Sequence, residues 1–291
     1  MITYDPHHFW SHIFAGRESR IERILSRVFP LTLWAFFIEF FALDEPFVGT
    51  TSLVSMIGAA LGFLLVFRIN ASNERYWEGR KLWGAMINTC RNLVRSVHIH
   101  LVDDRRKQEE ITVWVIVFAY ATIEVLRGRK GIGPMARRLP SEEVEWVLST
   151  DHVPYAVATR ITGLLRQAKD EGQITDIVYL TMDNLVKELI DILGGCERIH
   201  FTPLPFSYMV HLRRALIVYS IALPFGITSP HWYTSVAECL LVNFIFFGVE
   251  EIGVEIEDPF GEDPNDLPLE RFCETIERNL MALGAQPLPN S

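Results

Sequence analysis

Two long stretches of the chain carry no lysine or arginine, Val28 to Phe67 and Ala215 to Glu270, and their apolar runs predict four helices. The first stretch divides at Leu43 to Thr51, LDEPFVGTT, where acidic residues, proline and glycine mark a turn. That places apolar helices at about 29–43 and 52–69. The second divides at Ile227 to Tyr233, ITSPHWY, placing helices near 208–227 and 232–254. These runs are short against the roughly 20 residues of a membrane span, so two hairpins in a soluble core are the competing interpretation. Positive charge separates the two. Arg17, Arg20, Arg23 and Arg27 precede the first apolar helix, Arg68, Arg75, Arg80 and Lys81 follow the second, and Arg213 and Arg214 open the third. The short turns at 44–51 and 228–231 hold no Lys or Arg. Positive flanks stay on the cytoplasmic side, so both turns are expected outside and both termini inside, in the inner (cytoplasmic) membrane.

Between the hairpins, residues 78–205 read as soluble helices. NLVRSVHIHLV, EEITVWVIVFAYATIEVL, SEEVEWVL and DIVYLTMDNLVKELIDIL all repeat apolar residues at spacings of three and four. Pro140 before Ser141-Glu142-Glu143 signals a helix start, and Gly194-Gly195 a stop. Val113 to Ala121 is too short for a fifth span and reads as a buried core helix. The expected fold is all-α. Its order is an N-terminal cytosolic segment (1–28), a first transmembrane hairpin (29–69), a cytosolic helical domain (70–207), a second hairpin (208–254) and a C-terminal cytosolic segment (255–291).

Composition agrees with a part-spanning, part-cytosolic protein: of 291 residues 49% are hydrophobic and 22% charged, with a mean hydropathy of +0.18. A net charge of −9 speaks against a nucleic-acid partner. Cys90, Cys196, Cys239 and Cys273 form no CxxC or metal spacing, which predicts reduced thiols. The first 25 residues lack the pattern of a signal peptide. His98 and His100 face different sides of a helix, and HExxH, P-loop and GxSxG motifs are absent, so no enzyme is expected. A membrane-bound metal enzyme using the carboxylates of the fourth helix is the remote alternative. Glu39 and Glu238, Glu250, Glu251 and Glu255 are costly in lipid and must face protein, water or the interface.

On the second helix Ala59, Phe63 and Phe67 recur every four residues and share one face. Gly58 and Gly62 form a small-xxx-small pair on another, where a neighbouring helix can approach closely. By spacing alone the two phenylalanines fill a core or touch lipid.

The run Phe67-Arg68, then Asn70-Ala-Ser-Asn-Glu-Arg75-Tyr-Trp-Glu-Gly-Arg80-Lys-Leu-Trp83-Gly, resembles the segment after the second membrane helix of the bestrophin family, bacterial branch. Ile174-Thr-Asp-Ile177 through Asp183, Leu193-Gly-Gly-Cys-Glu-Arg198 and Thr202-Pro-Leu-Pro205-Phe are similar to the family's middle and third-helix entry. Glu257-Asp-Pro-Phe-Gly261-Glu-Asp-Pro-Asn-Asp266-Leu-Pro resembles its C-terminal acidic segment.

The resemblance implies a homopentameric ion channel in the lipid bilayer, its second helices lining a central pore. It matches Ala59, Phe63 and Phe67 to a hydrophobic neck and Ile177 to a second aperture at the cytosolic exit. The family includes anion channels and cation-permeable bacterial members with aliphatic necks. Phe at two of three neck positions is similar to the anion-conducting kind, so chloride is the expected permeant ion and sodium or potassium the alternative. Ala59 departs from both patterns and implies a wider outer ring. Asp176 would add negative charge beside the exit. Arg68, Arg75 and Arg80 either draw anions inward or pair with Glu74 and Glu78. The acidic segment matches Asp263 and Asp266 to the ends of a calcium-binding stretch, with Pro264 and Asn265 replacing the acids between.

Overall fold

The structure is a computed structural model that describes residues 21–41, 50–227, 229 and 231–285. The predicted turn at 44–51 lies almost wholly outside the described residues, as do residues 1–20. Among the described residues the helices are α1 (Ile21–Phe40), α2 (Thr50–His100), α3 (Arg105–Leu126), α4 (Ser141–Ser149), α5 (Val153–Asp170), α6 (Asp176–Phe201), α7 (Phe206–Ala222), α8 (Trp232–Glu255) and α9 (Leu269–Ala285). Short 3-10 turns occupy Pro134–Arg138 and Leu223–Phe225. The fold is all-helical. It divides into two compact units, one of residues up to Tyr76 with Pro203–Pro259 and Asp263–Asp266, the other of Trp77–Thr202, Phe260–Glu262 and the residues from Leu267 onward.

In the first unit α1 begins well before the predicted start at 29 and continues through Pro30. The charged residues Arg23 and Arg27 are helical because their partners lie on α8, which charge pattern alone did not reveal. The buried positions of α2 in this unit are Val54, Gly58, Leu61, Leu65, Arg68 and Ser72, spaced by three or four as one packed face requires. Leu61 and Leu65 join a core with Val28, Ala35, Leu212, Leu216, Tyr219, Cys239 and Phe247. At Gly58 a Cβ would sit 2.6 Å from the Tyr219 hydroxyl, so α7 approaches closely there; a Cβ at Gly62 would meet nothing within 4 Å among the described residues. α2 runs on for 51 residues, roughly 75 Å at 1.5 Å per residue, more than twice a hydrocarbon core. By length and composition it is long and apolar enough to cross a membrane.

In the second unit α3 is the central helix, buried from Ile111 through Ala119 as a core helix should be. Trp83, Met86, Cys90, Leu93, Val94 and Val97 of α2 are likewise fully buried. All four cysteines are free and buried, and burial pushes the Cys90 and Cys196 thiols up to about 12, which keeps them protonated and unreactive.

Candidate pore-lining site

The face of α2 opposite its packed stripe is bare. Phe63 is 69% exposed and Phe67 66%, with Ala59 exposed one turn earlier. Met56, Ile57 and Val66 are exposed beside them. A contiguous apolar surface of this kind must be covered by lipid or by further chains. The same helix therefore holds one face for its own core and offers another outward.

Directly after Phe67 the character inverts. Arg68 is fully buried, and its Nη1 donates to Glu250 Oε1 at 2.8 Å. That carboxylate also accepts from Arg213 Nε at 2.8 Å and from Arg27 Nη1 at 2.9 Å. Arg27 reaches Glu251 as well, at 2.8 Å, and Arg68 Nη2 stands 3.7 Å from Glu257. Four helices thus meet on one buried carboxylate: α1, α2 and α7 bring arginines, and α8 brings the acid. Gly253 belongs to this arrangement, since a Cβ there would stand 3.1 Å from Arg68 Nε.

The arginines expected either to draw anions or to pair with Glu74 and Glu78 are held by other groups. Arg68 is enclosed, Arg75 Nε donates to the Glu257 carbonyl at 3.0 Å, and Arg80 lies 5.0 Å over the Phe272 ring. Glu78 accepts from Arg198. Sequence reasoning named Glu250 only as one of several acids that must face protein, water or the interface. The available signal was a Glu-Glu pair in an apolar helix, together with an arginine near the matching end of each other apolar helix.

Ile177 lies in the first turn of α6 and is 77% exposed, with Leu180 exposed one turn on. Thr175 caps the helix, accepting the Val178 N–H. Asp176 pairs with Lys169 at 2.8 Å, and the carboxylate holds that ammonium above its ordinary range, so each charge offsets the other.

Asp263 is exposed, whereas Asp266 is buried and accepts the Asp263 N–H at 2.7 Å. Glu262 pairs with Arg129 at 3.0 Å and Asn265 donates to Glu255 at 2.9 Å. Among the described residues no three His, Cys, Asp or Glu side chains gather to hold a metal. Burial pushes the Asp266 carboxyl up to about 6; the Asp263 N–H pulls it down, and the Asp263, Asp258 and Glu255 carboxylates raise it further. Calcium needs several ionised oxygens converging on one point; Asp266 gives up its proton as pH rises past about 6, and one of its oxygens is already engaged by its own loop.

The raised carboxyl has a definite pH signature. The folded chain holds the Asp266 proton more tightly than the unfolded chain, whose carboxyl titrates near 3.8. The stabilisation is complete below that value and is lost as pH rises through about 6. Asp266→Asn stays neutral throughout, so its melting temperature should gain on the wild type between those two values. The gain should reach on the order of 3 kcal/mol at neutral pH. Parallel melting curves would show Asp266 to be ionised across the range.

An all-helical membrane protein whose long second helix turns an aromatic face outward, above a buried arginine–glutamate knot, is the class defined by these observations. The chain belongs to the bacterial and fungal bestrophin family, whose model, described as Bacterial/Fungal Bestrophin protein, matches residues 1–282. It is 39% identical over 232 residues to a voltage-dependent anion channel-forming protein of Synechocystis sp., covering 78% of this chain and 75% of that one. A protein of the same description from Nostoc sp. is 35% identical over 289 residues, covering 96% and 92%. The fold matches the crystal structure of a bacterial bestrophin homolog from Klebsiella pneumoniae with a TM-score of 0.84 at 30% identity, covering 91% of this chain and 100% of that one.

Proposed function

We infer that the chain is one subunit of a homopentameric channel of the cytoplasmic membrane that conducts chloride and related anions, and that it is not an enzyme. Four helices, α1, the first part of α2, α7 and α8, span the bilayer, with both termini in the cytoplasm. The observation that carries this reading is the bare face of Ala59, Phe63 and Phe67, opposite a stripe fully packed in its own chain. Repeated around an axis, that face becomes stacked aromatic rings. A narrow apolar ring resists wetting, so an ion shedding water finds few polar partners and the constriction can gate. Ring edges carry positive potential, so phenylalanines turned edge-on to the axis favour an anion. Ile177 forms the second constriction. With Asp176 offset by Lys169, the acidic residue beside it opposes anions less than its formal charge suggests.

The reversal potential of the purified protein in a planar bilayer under a KCl gradient tests the selectivity. A value near the chloride equilibrium potential is expected. One near the potassium potential would keep the channel and overturn its anion selectivity, placing the protein with cation-permeable channels.

For calcium at Asp263 and Asp266 the resemblance is the whole support, and one Asp266 oxygen is already engaged by the Asp263 N–H. In the melting experiment above, added calcium is expected to leave the transition unmoved. A rise that Asp263→Asn/Asp266→Asn loses would establish the ion.

A further inference from the structure

In the second unit, Arg105 and Arg106 at the start of α3 and Arg138 at the end of the 3-10 turn line one cavity of about 450 Å³. That size falls in the range of small-molecule sites, roughly 300–1,000 Å³. Part of its lining is apolar: Val113 and Leu280, both buried, with Pro140 and Met281. The three arginines lining it are exposed, as is Glu109.

Two of these three charges are poorly offset from within the protein, whereas Arg105 has a partner of its own. Among the described residues Arg106 and Arg138 have no carboxylate at ion-pair distance, and the close polar neighbour of Arg138 is Met281 Sδ at 4.0 Å. Glu110 also lines the cavity, yet its carboxylate is taken by Arg160 at 2.9 Å. Arg160 in turn is gripped by Glu143. That leaves Glu109 facing the arginines. Burial holds the His98 imidazole below its usual range, so the positive charge here rests on guanidinium groups. His98 is itself engaged with Thr112, 3.3 Å away.

Guanidinium groups are planar, weakly hydrated and matched to two-point recognition of phosphate or carboxylate. Arg106 and Arg138, with no carboxylate at ion-pair distance among the described residues, are the two charges an anion would offset. A bare inorganic ion would satisfy them and leave the apolar lining wet. A polyphosphate would bring excess negative charge against Glu109 and Glu110.

We propose that this cavity binds a small organic anion with one phosphate or carboxylate head, held by Arg106 and Arg138, and an apolar body seated against Val113, Leu280 and Met281. The site is separate from the Phe63 and Phe67 face, and it stands or falls independently of the channel reading.

Isothermal calorimetry on the full-length protein in detergent, with phenyl phosphate, inorganic phosphate and benzyl alcohol as probes, decides the matter. Phenyl phosphate should bind saturably and at least about tenfold more tightly than inorganic phosphate, a difference of about 1.4 kcal/mol. Benzyl alcohol should give no saturable heat. Arg106→Ala/Arg138→Ala should weaken phenyl phosphate binding by at least about tenfold. Met281→Trp, which fills the cavity without removing charge, should abolish it. Both variants should keep the wild-type melting temperature and reversal potential, which separates a lost site from a lost fold or a lost pore. No saturable heat up to about 10 mM would overturn the proposal. So would equal affinity for the two phosphates, or binding that survives the arginine substitutions.

Discussion

Phe63→Ala is expected to raise single-channel conductance several-fold and to prolong the open state. The side chain is 69% exposed within its own chain, so truncating it removes little packing in the subunit. What it removes is a ring from the proposed constriction. Widening an apolar neck lets water persist there, and every 1.4 kcal/mol taken from the barrier to ion passage is worth about tenfold in rate. Phe67→Ala should act in the same direction. Phe29→Ala is the control, because Phe29 on α1 is equally exposed at 69% and lies outside the proposed neck. Altered currents from both exposed phenylalanines would mean that loss of any lipid-facing ring disturbs the channel. Unchanged currents from Phe63→Ala, in protein of normal yield and oligomeric size, would remove the neck assignment.

Glu250→Gln is expected to be the most destabilising single change in the first unit. The carboxylate is 2% exposed and accepts from three guanidiniums, and one donor, Arg68, has no exposure at all. Glutamine preserves the shape and one acceptor oxygen but leaves that buried charge uncompensated. Breaking one partner of a buried pair typically costs about 3–5 kcal/mol, because the orphaned ion has lost both water and counter-charge. The melting temperature in detergent should fall sharply. The double variant Arg68→Met/Glu250→Leu should recover much of the loss, since an apolar pair of similar volume carries no such penalty. A single variant that melts like the wild type would mean that Glu251 and Glu257 suffice to hold Arg68. A double variant no better than the single would mean that the knot acts through Arg27 and Arg213 instead. Gly253→Ala probes the same knot from its packing side, since the new methyl would press on Arg68 Nε at 3.1 Å.

Much of this was legible along the chain. Helical periodicity is local: residues three and four apart meet whatever the rest of the chain does, so Ala59, Phe63 and Phe67 on one face, and the buried run in α3, followed from spacing. The gaps in Lys and Arg located the apolar helices because a charge inside a bilayer is too costly to place at random. Other features depended on which distant segments come together. Arg68 looked for partners at Glu74 and Glu78, its neighbours along the helix, and found Glu250, 182 residues away on another helix. Gly58 and Gly62 were alike as a motif, yet Gly58 meets Tyr219 while Gly62 meets nothing among the described residues. Asp176 read as a free negative charge until Lys169 was placed beside it. That Asp266 accepts the Asp263 N–H was likewise not visible along the chain. Sequence by itself thus determined the helices, their apolar faces and the class of protein, because those follow from backbone geometry and the cost of moving charge into oil. Tertiary structure alone decided which charges are spent on holding the fold, because Coulomb and hydrogen-bond energies depend on distances through space that spacing along the chain does not contain.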